Sequence, residues 1–281
     1  MNIYKTIGSL QQVLKEYFRE NGRIGFVPTM GALHKGHLSL LKQCREENDI
    51  AVTSIYINPT QFNNSRDFQN YPRNFQNDIV MLEENGCNIL FLPDDKEMYP
   101  VPDNRNFDFG IMGSVMEGKY RPGHFNGVAQ IVTKLFDAVK PHRAYFGRKD
   151  FQQLAIIKKL THDYNYPIEI VECPTVRESD GLAMSSRNTL LTPEQRKIAP
   201  LIYKTLTNVR KTKFSKNIPA LNLFVEETFQ SSRFLKLEYF QIVDTFTLEP
   251  LTQLSPKMPA TACIAVFADN VRLIDNIELI S

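Results

Sequence analysis

A chain of 281 residues can bury a large core, and its length favours two domains of ordinary size. Its 33 lysines and arginines stand against 31 aspartates and glutamates, a net charge of +2, so it lacks the excess positive charge that tracks a nucleic-acid backbone. No apolar run approaches membrane-spanning length, the first residues hold no signal core, and Cys44, Cys87, Cys173 and Cys263 lack paired or zinc-ligand spacing, which together predict a cytoplasmic protein with reduced core thiols.

Ser9 and Gln12 have the spacing of a capping box, and Leu10, Val13, Leu14, Tyr17 and Phe18 keep a helical period until Asn21-Gly22 stops it. Alternation follows: strand 24–27, helix 38–47, strand 50–57, helix 74–84, strand 88–92, helix 127–139, strand 143–146, helix 151–163 and strand 168–173. Strands that are apolar on both faces and alternate with helices predict a parallel sheet wrapped by helices. Beyond Thr175 a polar stretch from Arg177 to Asn188 precedes two helical patterns, 193–211 and 218–231. Strands 234–243 and 262–268 follow, and the second turns through Asp269-Asn270 into 271–275 as a hairpin. The expected architecture is α/β: a Rossmann-like, doubly wound parallel sheet over 1–175 and a smaller C-terminal α+β lid domain over 176–281.

In such a sheet, ligands bind at the carboxyl ends of the strands. There the segment Val27-Pro28-Thr29-Met30-Gly31-Ala32-Leu33-His34-Lys35-Gly36-His37 sets two histidines three apart at the start of a helix, on one face of a turn. A helix N-terminus adds amide donors and a positive dipole end, and Gly36 lets a ligand approach, so the segment suits the phosphates of a nucleotide. The blander alternative is one metal-binding or core histidine beside an unrelated one.

Lys149, in Phe146-Gly147-Arg148-Lys149-Asp150-Phe151-Gln152-Gln153, puts a cation at a helix start, a poor place for one unless an anion sits there. Gln153, four residues on, shares its face and can hold a hydroxyl or carboxylate. The polar loop Ala183-Met184-Ser185-Ser186-Arg187-Asn188 offers two hydroxyls and a guanidinium to a departing pyrophosphate. Asp78 lies on the polar side of its helix, where an aspartate by itself is most often only solvated; the other reading is a carboxylate for a magnesium ion held mainly by phosphates. Arg121-Pro122-Gly123-His124-Phe125-Asn126-Gly127 sets glycines around an Arg and a His at a helix entrance, which suits an anion, the alternative being simple helix-start chemistry.

These segments together resemble the pantothenate synthetase (pantoate–β-alanine ligase) family. The resemblance runs through Pro-Thr-Met-Gly-Ala-Leu-His-x-Gly-His at 28–37, Asn-Pro-Thr-Gln-Phe at 58–62, Tyr-Pro-Arg at 71–73, Arg-Pro-Gly-His-Phe-x-Gly-Val at 121–128 and the run from Pro174 to Asn188. The family is similar in fold to class I aminoacyl-tRNA synthetases and nucleotidylyltransferases, and Met-Ser-Ser-Arg occupies the place of their Lys-Met-Ser-Lys-Ser loop.

The resemblance implies a two-step ligase in which the pantoate carboxylate attacks the α-phosphorus of ATP and β-alanine then displaces AMP. It implies that His34, His37, Lys149, Ser185, Ser186 and Arg187 are catalytic, and that Pro28, Thr29, Met30, Gly36, Gly147, Asp150, Val176 and Met184 join them in binding ATP. Met30, Asn58, Gln61, Arg121 and Gln153 would bind pantoate and β-alanine, Asp78 would attend Mg²⁺, and the protein would be a homodimer without nucleic-acid or membrane partners.

The chain departs from the family pattern at Arg148, where a Glu is common, at Phe151, where a Tyr is common, and at Asn77, where some members carry an acid. Arg148 is expected to add positive charge beside Lys149. An alternative is a nucleotidylyltransferase acting on a phosphorylated small-molecule acceptor, but its acceptor pocket should be basic, whereas Gln61 and Gln153 suit hydroxyls and a single carboxylate. A non-catalytic RNA-binding relative is disfavoured by the near-neutral charge.

Overall fold

The elements in chain order are β1 (Asn2–Tyr4), α1 (Ile7–Arg19), β2 (Ile24–Thr29), α2 (Lys35–Glu47), β3 (Ile50–Ile55), α3 (Ser65–Asn70), α4 (Phe75–Glu84), β4 (Ile89–Phe91), α5 (Asp95–Met98), α6 (Met116–Tyr120), α7 (His124–Val139), β5 (Arg143–Gly147), α8 (Phe151–Asp163), β6 (Glu169–Cys173), α9 (Pro193–Ile198), α10 (Leu201–Thr212), α11 (Ile218–Gln230), β7 (Lys236–Asp244), β8 (Ala260–Ala268) and β9 (Val271–Ile280). They come from a computed structural model that describes residues 1–214 and 217–280, the Arg66 side chain apart.

The chain divides into two units, the first formed by 1–109, 121–148 and 153–174. Its sheet has six strands in the order β1-β4-β3-β2-β5-β6, every neighbouring pair parallel. All six residues of β3 are buried, as its unbroken apolar character requires in a sheet covered on both sides. Val27, Leu33, Leu41, Cys44, Ile55, Leu82, Leu90 and Tyr145 form one core cluster under α2 and α4, and each large aliphatic side chain buried there contributes about 1.5–3 kcal/mol. From β2 the chain steps to β3 and β4 in one direction and to β5 and β6 in the other. The order therefore reverses between β2 and β5, and the carboxyl ends of these two strands, Thr29 and Gly147, mark the switch point where such sheets bind ligands.

The second unit comprises 110–120, 149–152 and the chain from Thr175 onward. It is α+β: α10 and α11 lay Ile202, Leu206, Val209, Leu221, Val225 and Phe229 against Ile242, Ile264, Val266, Leu273 and Ile277 of an antiparallel sheet in the order β7-β8-β9. Two stretches that the sequence reading placed before residue 176, namely 110–120 and 149–152, group with this unit. Gln152 joins them: its carbonyl accepts from the Glu117 amide at 2.9 Å, and its amide donates to the carbonyls of Met112 and Val115 at 2.7 and 2.8 Å. Glu117 is in turn held by Arg272 of β9 through two contacts of 2.7 Å and by the Tyr239 hydroxyl of β7 at 2.8 Å.

The first helix starts three residues earlier than its capping signal suggests, because Thr6 rather than Ser9 caps it, accepting from the Ser9 amide. The single pattern over 193–211 is two helices, broken where Pro200 lacks an amide donor. β9 runs on to Ile280, five residues past its predicted end, because its polar residues Asp275 and Asn276 make specific bonds instead of ending the strand. All four cysteines are free and buried, and burial raises every thiol, that of Cys173 to about 12. No helix among the described residues is long and apolar enough to cross a membrane.

Candidate active site

The turn leaving β2 is built by hydrogen bonds from three elements. The Thr29 hydroxyl donates to the Ser54 carbonyl of β3 at 2.8 Å and accepts from the Gly31 amide at 3.2 Å, so it serves the frame of the turn. Gly31 (φ 80°) and Ala32 (φ 48°) are both left-handed. For alanine that conformation costs about 1–2 kcal/mol and must be held from outside. Asp78 of α4 holds it, accepting the Ala32 amide at 2.9 Å and the Leu33 amide at 2.7 Å, one on each carboxylate oxygen. A side chain at Gly31 would press on both Asp78 and Ile55 at 3.0 Å, which explains the glycine there.

That turn delivers His34 as the N-cap of α2 and His37 as its third residue. The two rings form a reciprocal capping box: His34 Nδ1 accepts from the Gly36 amide at 3.1 Å, and His37 Nδ1 accepts from the His34 amide at 3.3 Å. Because an amide N–H can only donate, both Nδ1 atoms are acceptors, and each neutral ring carries its proton on Nε2. The ring centroids are 4.1 Å apart, so the helix start presents a pair of adjacent N–H donors. The helix begins three residues before its predicted start, and the Gly36 amide is spent on the cap. The Gly36 amide is therefore not one of the unpaired helix-start donors that the sequence suggested beside the imidazoles.

Asp78 is corrected by this geometry. It is 1% exposed, not on the polar face of α4, and both of its oxygens already accept backbone amides. Burial pushes its carboxyl up from the ordinary value and the two amides pull it back by less. A magnesium ion needs accessible oxygen ligands in near-octahedral array. Asp78 does not fit that role, and no group of three or more His, Cys, Asp or Glu among the described residues is placed to hold a metal.

After β3, Asn58 and Gln61 lie in a short turn against α7. Gly127 of α7 makes that approach possible, since a Cβ there would stand 2.4 Å from the Thr60 carbonyl oxygen. Asn58 is 1% exposed and fully engaged: its amide donates to the Gly127 carbonyl at 3.0 Å and to Gln61 Oε1 at 3.3 Å, while its oxygen accepts from the Tyr99 hydroxyl at 2.7 Å. Through the 3.3 Å contact it also braces Gln61. Gln61 itself reaches back to Met30 Sδ at 2.8 Å, joining two of the five residues expected around pantoate and β-alanine. Gln153, another of them, is half-buried in the first turn of α8.

His124, which the sequence sets with Arg121 at a helix entrance, connects Gln61 with Arg121. Its Nδ1 lies 2.8 Å from the Gln61 carbonyl and its Nε2 lies 3.1 Å from the Arg121 guanidinium. A carbonyl only accepts and a guanidinium only donates, so the ring is neutral with its proton on Nδ1.

In the second unit, Lys149 sits in a 3₁₀ turn before α8 with a side chain 19% exposed, its ammonium 3.2 Å from Asp150. The guanidinium of Arg148, which belongs to the first unit, pairs with Glu172 of β6 at 3.2 Å, and Lys158 pairs with the same carboxylate. The segment from Val176 to Arg187 folds back on itself. The Met184 amide donates to the Val176 carbonyl at 3.0 Å, Arg177 and Ala183 bridge, and the Ser185 hydroxyl caps the next turn by accepting from the Arg187 amide at 3.3 Å. Met184 and Ser186 are buried, while Ser185 and Arg187 are half-buried. The sequence reading did not single out Tyr99, Asp275 or Asn276, whose signal lies in long-range contacts that no local period encodes.

The model of the family described as Pantoate-beta-alanine ligase matches residues 2–278, almost the entire chain. The chain belongs to that family. The pantothenate synthetase of Bacteroides fragilis is 48% identical over 278 residues, covering 99% of both chains. Among solved structures, the pantothenate synthetase of Thermus thermophilus superposes with a TM-score of 0.93 at 40% identity over 100% of both chains. The pantoate-β-alanine ligase of Francisella tularensis, solved with β-γ ATP and β-alanine, has a TM-score of 0.84 at 38% identity, covering 99% of this chain and 98% of its own. The pantoate–β-alanine ligase fold thus accounts for the parallel sheet with its switch point and for the smaller α+β unit alike.

Proposed function

We propose that the chain joins pantoate to β-alanine at the expense of ATP, giving pantothenate, AMP and pyrophosphate through a pantoyl-adenylate intermediate. The observation that carries this reading is the imidazole pair at the switch point, locked by its own capping box into the tautomer that offers two Nε2–H donors. In the first step, the pantoate carboxylate forms a bond to the α-phosphorus as the bond to the bridging oxygen of pyrophosphate breaks. In the second, the amine of β-alanine attacks the acyl carbon and AMP leaves. No protein nucleophile is needed, so catalysis consists of alignment and charge neutralisation.

His34 and His37 donate to the phosphates, and Lys149, Ser185, Ser186 and Arg187 take the charge that grows on the leaving pyrophosphate. Pro28, Thr29, Gly36, Gly147, Asp150, Val176 and Met184 form the surroundings of ATP, Thr29 and Val176 through the bonds that shape their loops. Met30, Gln61 and Gln153 surround pantoate, with Asn58 bracing Gln61 and Arg121 taking a carboxylate. Magnesium enters as part of the MgATP substrate, held by phosphate oxygens and water. The reading includes a homodimer in the cytoplasm, supported by the family resemblance and, for the compartment, by four free buried thiols.

Incubation of the protein with ATP, Mg²⁺ and pantoate, with and without β-alanine, and identification of the products by mass tests it. Pantothenate plus AMP is expected with β-alanine, and pantoyl adenylate without it. ADP would signify transfer of the terminal phosphoryl group and overturn the reading, as would a nucleotidylated phosphate acceptor formed in place of pantothenate.

A further inference from the structure

Within the second unit, the parts assigned to phosphate chemistry are tied to one strand by two adjacent side chains. Asn276 of β9 donates from Nδ2 to the carbonyl of Lys149 at 2.9 Å. Asp275, its neighbour and 4% exposed, receives the Arg177 guanidinium on both oxygens at 2.6 and 3.0 Å. Arg177 also donates to the Gly181 carbonyl at 3.2 Å, and its guanidinium lies 3.7 Å from the centroid of the Tyr203 ring, so its direction is over-determined. It stands at the base of the fold-back that presents Ser185, Ser186 and Arg187, next to Val176, whose carbonyl accepts Met184. A buried carboxylate in mid-strand, as at Asp275, requires a reason, and the expected strand end there fails for the same reason.

We propose that Asp275 and Asn276 are positioning residues for adenylate formation: Asn276 fixes Lys149 through its main chain, and Asp275 fixes the Ser185–Arg187 loop through Arg177. The proposal rests on the roles of Lys149 and that loop under the proposed function. A misplacement of about 1 Å at such a group can cost up to a hundredfold in rate.

The test is a double-mutant cycle read in single-turnover formation of pantoyl adenylate from ATP and pantoate. Asn276→Asp, which turns a donor into an anion facing the Lys149 carbonyl, is expected to slow that step by roughly tenfold to a hundredfold. It should leave the reaction of preformed pantoyl adenylate with β-alanine within about twofold of the parent rate. In a Lys149→Ala background the same change should cost no more than about twofold, because the group it positions is gone. Asn276→Leu, which removes the donor without adding charge, serves should the aspartate variant not fold. Equal slowing of both half-reactions, or a full loss repeated in the Lys149→Ala background, would mean a general structural defect and overturn the proposal. A normal rate for Lys149→Ala itself would instead overturn the assignment of Lys149.

Discussion

Replacing His37 with glutamine is expected to lower pantoyl-adenylate formation by a factor of hundreds or more while leaving the fold intact. The reason lies in the double duty of the ring. His37 Nδ1 accepts the His34 amide as the third residue of a capping box, and glutamine is a favoured residue at that position. Its side-chain oxygen can take over the capping bond, so helix α2 keeps its start. What glutamine does not reproduce is an N–H fixed at the place of Nε2. Loss of one donor that stabilises developing charge typically costs ~100- to 1000-fold. Lys149→Ala should do at least as much, since it removes a full charge. By contrast, His37→Ala removes both functions and should add about 1 kcal/mol of lost stability to the kinetic defect. Single-turnover rates together with thermal midpoints separate the two, and near-parent adenylate yield from His37→Gln would refute the role of the imidazole.

The second large effect is expected at Asp78. Asp78→Asn keeps the size of the side chain but can accept only one of the two amides, and it turns an NH₂ group toward the other N–H of the Ala32–Leu33 turn. A buried donor left facing another donor costs about 1–3 kcal/mol. That is enough to release Gly31 and Ala32 from their left-handed conformation and to shift His34 and His37 with them. The expected result is a loss of ten- to a hundredfold in adenylate formation, with the Mg²⁺ concentration needed for half-maximal rate unchanged. A metal ligand would behave in the opposite way: its loss would raise the Mg²⁺ requirement and be partly rescued by excess Mg²⁺. Rescue by metal would contradict the role of Asp78 as a brace for the turn.

Much of this site is legible in the sequence, because the groups that touch phosphates are carried by short motifs at strand ends. The alternation of apolar strands with helices places the histidine segment at a carboxyl end, and the observed strand order puts that end at the switch point. What the sequence does not reveal is which polar residues face the ligand and which hold others in place. Asp78 and Asn58 both sit in recognisable motifs, yet both are 1% exposed and spend their hydrogen bonds on backbone or side chains nearby. Local periodicity marks Asp78 as a polar-face residue because it cannot register the turn at Ala32, 46 positions away, that packs over it. For the same reason Arg148 reads as a neighbour of Lys149 until Glu172 claims it. The helices over 65–70, 95–98 and 116–120 have at most six residues, too few to establish a period.

The paired imidazoles at the start of α2 are expected to grip the triphosphate, and a crystal structure of the protein with a non-hydrolysable ATP analogue bound checks this. Phosphate oxygens are expected within about 2.7–3.2 Å of the Nε2 atoms of His34 and His37, with both Nδ1 atoms still accepting their backbone amides. A nucleotide whose triphosphate lies elsewhere, leaving both rings without a phosphate contact, would contradict it.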